Sequence, residues 1–149
     1  MIVYRFTQEI YSHDISGEGA KKWGGRWNSP GLPVVYTSLS ISLSLLELLI
    51  YQSSYEEIAI NRLMQIEVPD TLFQSLSANS LKLNWQNDID YCRFIGNEFL
   101  QNKKSLMLKV PSAIIPDEYN TLINPGHPAF EKCTLISSRL FEFDTRLFN

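Results

Sequence analysis

Trp23-Gly24-Gly25-Arg26-Trp27-Asn28, Val34-Val35-Tyr36-Thr37-Ser38, and the apolar segment Ile41-Ser42-Leu43-Ser44-Leu45-Leu46-Glu47-Leu48-Leu49-Ile50-Tyr51 follow one another in the most informative run of the chain. The first piece reads as a glycine-aromatic loop, the second as an apolar β-branched strand, the third as a helix capped by Ser38 or Ser40. Together they carry one arginine in the loop, one tyrosine at the strand's end and one carboxylate among leucines. An arginine binds phosphate oxygens in a forked geometry. A tyrosine offers a flat face and a hydroxyl. A carboxylate stabilises developing positive charge. The three roles point to chemistry on an anionic, planar ligand that passes through a cation.

Upstream, Ile2 to Phe6 alternates around β-formers and predicts a first strand. Residues 12 to 32 hold five of the seven glycines and read as a long loop region, where binding groups commonly sit on a rigid scaffold. Downstream, strands are predicted for Arg62–Val68, Leu106–Val110, Thr134–Ile136 and Leu140–Phe143, the last two as a pair. Residues 71 to 87 read as polar and irregular, with room for one short helix. Asp88 to Leu100 has helical spacing, with Asn87 or Asp88 as its cap. Some six strands and two or three helices in irregular order predict an α+β fold in one domain over residues 1–149.

Composition narrows the function. The 149 residues are 44% hydrophobic and 19% charged, which favours one well-buried core over disorder. Thirteen basic against sixteen acidic residues give a net charge of −3, with no basic stripe, so direct nucleic-acid binding is not expected. Cys92, Cys133, His13 and His127 form no metal-ligand spacing. The N-terminus Met1-Ile2-Val3-Tyr4-Arg5-Phe6 does not read as a signal peptide, and no apolar run nears the roughly 20 residues of a membrane span. A cytoplasmic protein with no membrane contact is the expectation.

Among single residues, Glu47 is the most costly. On a helix its neighbours are Leu43, Ile50 and Tyr51, so its carboxylate needs donors, an arginine or a water-filled cleft. The plain alternative is a charge that marks the helix's solvent edge. Arg26 lies between Gly25 and Trp27, where the backbone can approach a ligand and the flanking tryptophans, Trp23 and Trp27, can wall a pocket. Its plain alternative is a loop whose aromatics plug the core. Tyr36 in an apolar strand is ordinarily a core tyrosine, and Arg5 on a short strand ordinarily points outward. Ser112 follows Pro111 without a G-x-S-x-G elbow, so it is not expected to be a nucleophile.

The order of the pieces adds what each lacks alone. Tyr4-Arg5-Phe6, Ser16-Gly17-Glu18-Gly19-Ala20, Gly24-Gly25-Arg26-Trp27-Asn28, Val35-Tyr36-Thr37-Ser38, Leu45-Leu46-Glu47, Val110-Pro111-Ser112, Glu118-Tyr119-Asn120, Ile123-Asn124-Pro125 and Phe143-Asp144-x-Arg146-Leu147 resemble the motifs of the RES-domain family. That family is the toxin half of a bacterial toxin–antitoxin pair. The likeness runs along nearly the whole chain, with little signature between residues 55 and 90.

The resemblance implies a compact α+β fold similar to the ADP-ribosyltransferase toxins, with NAD+ as substrate and no separate cofactor. It implies depletion of NAD+ by cleavage of the nicotinamide–ribose bond, with water or phosphate accepting the ADP-ribose. The alternatives are mono-ADP-ribosyl transfer to a protein, or a non-catalytic nucleotide- or protein-binding module on the same fold. Its implied partner is an Xre-type helix-turn-helix antitoxin; a homodimer is also compatible. In this scheme Glu47 supports the ribosyl cation, Arg26 binds the pyrophosphate or adjacent ribose, and Tyr36 borders the nicotinamide. Ser112 positions the substrate by a hydroxyl contact, while Arg5, Trp27 and Asn120 bind the ligand. No metal is expected, because a cationic pyridinium already departs neutral.

Overall fold

The computed structural model of the chain describes residues 1–70 and 73–149. Seven strands form one sheet: β1 Ile2–Gln8, β2 Val35–Ser38, β3 Asn61–Glu67, β4 Phe73–Ser75, β5 Met107–Pro111, β6 Tyr119–Ile123 and β7 Thr134–Leu140. Their order is β4-β5-β6-β2-β1-β3-β7, and every pairing but the parallel β4–β5 is antiparallel. Four helices accompany them: α1 Glu18–Trp23, α2 Ile41–Leu49, α3 Tyr55–Ala59 and α4 Ile89–Asn102. The architecture is α+β, as the sequence predicts.

Alternation along the strands sorts side chains onto two faces. Val3, Val35, Met64, Ile66, Met107 and Ile123 fill one core, closed by Ala129, Phe130 and Cys133 from the loop before β7. On the other face two helices share the sheet. Helix α4 lies over β5 and β6, burying Cys92, Phe99 and Leu100 against Leu108, Val110 and Leu122. Helix α2 lies over β1 and β2, and its Ile41, Leu45, Leu48 and Leu49 join Phe6, Leu63 and Tyr4. Ser40 is the α2 cap, its hydroxyl accepting the Leu43 N–H at 3.1 Å. Asp88 caps α4 by accepting the Tyr91 N–H at 3.0 Å.

Several elements differ from the sequence expectation. Residues 134–143 are not a hairpin. Ser137-Ser138-Arg139 has no Gly, Pro, Asn or Asp, and one strand runs through it as β7, its two serines paired with Gln65 and Met64 of β3. Phe143 then leaves the strand and enters the core beside Phe6, at 5.4 Å between ring centroids. Residues 119–123 show only motif pieces in the sequence, yet they form β6, inside the sheet between β2 and β5. Part of the glycine-rich loop is helical, as α1, and α3 was not anticipated. Within residues 73 to 87 there is β4 and two single-turn 3-10 helices, Ala78–Ser80 and Trp85–Asn87. The expectation for residues 71 and 72 lies outside the described residues. Among the described residues no helix is long and apolar enough to cross a membrane.

Candidate functional site

Strands β1 and β2 share a single residue pair, Tyr4 with Ser38, although β1 pairs with β3 along its full length. Where the β1–β2 ladder stops, the sheet parts. A cleft of about 480 Å³ opens there, lined by Tyr4, Arg5, Phe6, Tyr36, Thr37 and Ser38 from the diverging strands. The α1–β2 loop, α2 and the segment after β5 complete it with Arg26, Glu47 and Ala113, among others. Sequence-distant Arg5, Arg26, Tyr36, Glu47 and Asn120 therefore meet in one cavity.

Glu47 is half-buried in the cleft wall and is not an edge charge. Its Oε1 accepts two hydrogen bonds, from the Ser112 hydroxyl at 2.8 Å and the Asn120 side-chain amide at 2.6 Å. No donor among the described residues occupies Oε2. One oxygen is thus held by the protein while the other remains available to a ligand.

Ser112 differs from its expected part. It is 0% exposed and does not line the cleft. Its hydroxyl donates to Glu47 and accepts the N–H groups of Ile114 and Ile115, at 3.1 and 3.2 Å. It acts on the carboxylate, because the turn after β5 aims it at α2 and away from the cavity. Asn120 does line the cleft, but its amide nitrogen is likewise committed to Glu47.

Arg5 is the cleft's unpaired cation: among the described residues no acceptor or carboxylate pairs with its guanidinium. Burial pushes its pKa below the ordinary arginine value, and the Asp14 carboxylate partly opposes that. Arg26 is engaged from beneath. Its Nη1 donates to the Gln86 carbonyl at 2.8 Å, and the guanidinium lies 6.0 Å from the Trp85 ring centroid. It also opposes the burial that raises the Cys92 thiol. Four of its five N–H donors remain for other acceptors.

Trp27 touches the cleft, but most of it is buried behind the wall. It is 2% exposed and stacks, tilted, on Trp85 at 5.9 Å between centroids, so the core-plugging alternative holds for this residue. Trp23, 73% exposed, and Tyr51, 78% exposed, are the aromatic side chains that line the cleft while open to solvent. Trp23 fits the expected tryptophan wall; Tyr51 has no expected ligand role. Tyr51 follows Glu47 by one helical turn, a spacing that could have pointed to it.

Tyr36 ties the loop to the sheet. Its hydroxyl donates to Asn28 Oδ1 at 2.6 Å and accepts the Trp27 N–H at 3.0 Å. Burial raises the phenol's pKa well above its ordinary value. Asn28, fully buried, returns its amide to the carbonyls of Ala20 and Leu32, at 2.8 and 2.9 Å. It is the hub of the loop, a part that its place in the motif did not disclose. Arg93 on α4 adds a bond from Nε to the Gly25 carbonyl at 2.8 Å. Gly25 has to be glycine, since a Cβ there would lie 2.6 Å from the Tyr36 hydroxyl. At Gly96 a Cβ would fall 1.7 Å from the Trp27 carbonyl oxygen, so this glycine lets α4 press against the loop. Among the described residues no group of three or more His, Cys, Asp or Glu side chains is placed to hold a metal ion.

Comparison with known proteins gives the chain its family. The RES domain profile matches residues 2–144. A protein of Yersinia enterocolitica named "Toxin Res" is 35% identical over 151 aligned residues, covering 99% of each chain. A Sphingobium protein named "Prs ADP-ribosylating toxin" is 35% identical, covering 90% of this chain and 86% of its own. In fold, the chain is similar to a chain of the Mycobacterium tuberculosis MbcT-MbcA toxin-antitoxin complex, with a TM-score of 0.76 at 22% identity. That likeness covers 99% of this chain and 86% of the other. The motif order, the cleft and these matches lead to one conclusion: this chain is a member of the RES-domain toxin family.

Proposed function

We propose that the protein acts as a toxin by cleaving the nicotinamide–ribose bond of NAD+. The observation that carries this reading is the state of Glu47: Oε1 is fixed by Ser112 and Asn120, and among the described residues Oε2 has no donor. In the reaction the C–N bond breaks with its electron pair leaving on nicotinamide, and C1′ of the ribose gains oxocarbenium character. A fixed carboxylate beside that carbon stabilises the cation more than the ground state, which is what accelerates the step. Water then adds to C1′ and releases a proton, giving ADP-ribose. Phosphate in place of water gives the 1-phosphate.

Arg5 and Arg26 supply positive charge for the pyrophosphate, with Arg5 the less encumbered of the two. Tyr36 fixes the loop that carries Arg26 and forms part of the wall, while Trp23 and Tyr51 flank the opening. The toxin reading brings an antitoxin as partner, of the Xre type by the resemblance of the sequence.

The test is nicotinamide release from NAD+ by purified protein, with and without phosphate, and identification of the second product. Free ADP-ribose or its phosphate supports cleavage; no nicotinamide under any condition rejects it. The name of the Sphingobium relative favours a second reading, transfer to a protein, for which labelled ADP-ribose would appear on a polypeptide.

A further inference from the structure

We infer that Ser38 is a positioning residue for Glu47, acting through Asn120 by holding the Asn120 amide in place behind the carboxylate. The inference rests on Glu47 being the catalytic carboxylate.

Ser38 and Asn120 are direct partners across the β2–β6 ladder, so their side chains share a face. The Ser38 hydroxyl lies 2.7 Å from Asn120 Oδ1, and Asn120 Nδ2 lies 2.6 Å from Glu47 Oε1. An asparagine amide has a donor end and an acceptor end of nearly the same shape. A carboxylate only accepts, so the amide must turn its N–H to Glu47. Its carbonyl then faces β2 and needs a donor there, and the buried Ser38 hydroxyl is that donor. Without it, the buried Oδ1 has lost its partner and the amide is free to turn about its side-chain torsions, which loosens its bond to Glu47 Oε1. Ser38 ends β2 at the single pair that still joins β1, so the relay is anchored where the sheet begins to part. The sequence Tyr36-Thr37-Ser38 therefore serves the site at both ends: Tyr36 holds the loop, and Ser38 orients the carboxylate's donor.

The experiment combines kinetics with a readout that needs no activity. Ser38→Ala should lower kcat about tenfold with KM for NAD+ little changed, since losing one positioning hydrogen bond acts on the reacting centre and not on binding. Ser38→Thr keeps the hydroxyl and should restore most of the rate. If Ser38→Ala fails to fold, Ser38→Cys, nearly the same size with a weak donor, takes its place with the same expected loss. In parallel, the Asn120 side-chain amide resonances of ¹⁵N-labelled protein should move in Ser38→Ala and stay in Ser38→Thr.

Parent-like kcat in the hydroxyl-lacking variant, with unmoved Asn120 resonances, overturns the inference. If the parent does not cleave NAD+, the functional reading fails, and the amide resonances still decide whether Ser38 sets the amide.

Discussion

The Ser112 hydroxyl lies 2.8 Å from Glu47 Oε1, joining the end of β5 to the middle of α2 across 65 residues of sequence. The same hydroxyl accepts the Ile114 and Ile115 N–H groups, so it couples the turn after β5 to the carboxylate. Ser112→Ala removes both functions. Stability should fall by about 1–3 kcal/mol as two N–H groups lose their acceptor, measurable by urea unfolding. The kcat for NAD+ should fall about tenfold or more, with KM changing much less. A KM effect larger than the kcat effect would return Ser112 to direct substrate contact.

Arg5 should show the opposite balance. Its guanidinium lines the cleft, partly buried, and pairs with no carboxylate among the described residues, so it adds little to the free protein's stability and serves a bound anion. Arg5→Met is expected to leave the melting temperature unchanged or higher. It should weaken NAD+ binding about 10- to 100-fold, the range for losing a charged hydrogen bond. Calorimetric titration of NAD+ into the inactive Glu47→Gln background, with and without Arg5→Met, measures this.

The two tryptophans of the loop should separate cleanly. Trp27→Ala opens a cavity against Trp85 and should cost about 3–5 kcal/mol. Trp23→Ala, at an exposed position, should change stability by less than about 0.5 kcal/mol. It should raise KM for NAD+ if its ring flanks the bound ligand, and Trp23→Phe should recover most of that loss.

Tyr36→Phe keeps the ring and removes one hydroxyl. The buried Asn28 Oδ1 and the Trp27 N–H both lose their partner, so about 1–3 kcal/mol of stability should go. The loop carrying Arg26 should then loosen, seen as faster amide exchange at Trp27 and Asn28.

Burial pushes the Cys133 thiol up to about 11 and raises Cys92 as well. At pH 8 few thiolates are present in the folded protein, and the thiolate is the reactive form. Both cysteines should react slowly with a thiol reagent at pH 8, with the rate climbing as pH rises toward the raised pKa. In denaturant both should react at once.

Much of this site was legible in the sequence because its chemistry is unusual locally. A glutamate among leucines needed donors, and the fold supplies two. The strand before it and the cap at Ser40 followed from β-branched residues and a serine. What escaped notice depended on tertiary context. Strand β6 carries Asn120 and Thr121, too polar to read as a central strand, although one bonds Glu47 and the other accepts at its carbonyl from the Thr37 hydroxyl. Trp23 and Trp27 look alike in the motif, and only the close approach of α4 at Gly96 decides which is buried. The direction of the Ser112 hydroxyl depends on a turn whose geometry no spacing reveals. Ser137 and Ser138 suggest a turn between the predicted pair, but pairing with β3 along its length carries one strand through them.

The central claim is that Glu47 contributes to bond cleavage and little to holding the substrate. The direct measurement is NAD+ affinity and nicotinamide release by Glu47→Gln beside the parent, using purified protein. The account predicts affinity within a few-fold of the parent and a rate lowered by about 10²–10³, the usual loss when a group stabilising transition-state charge is removed. Nicotinamide release by Glu47→Gln at the parent's rate would contradict it.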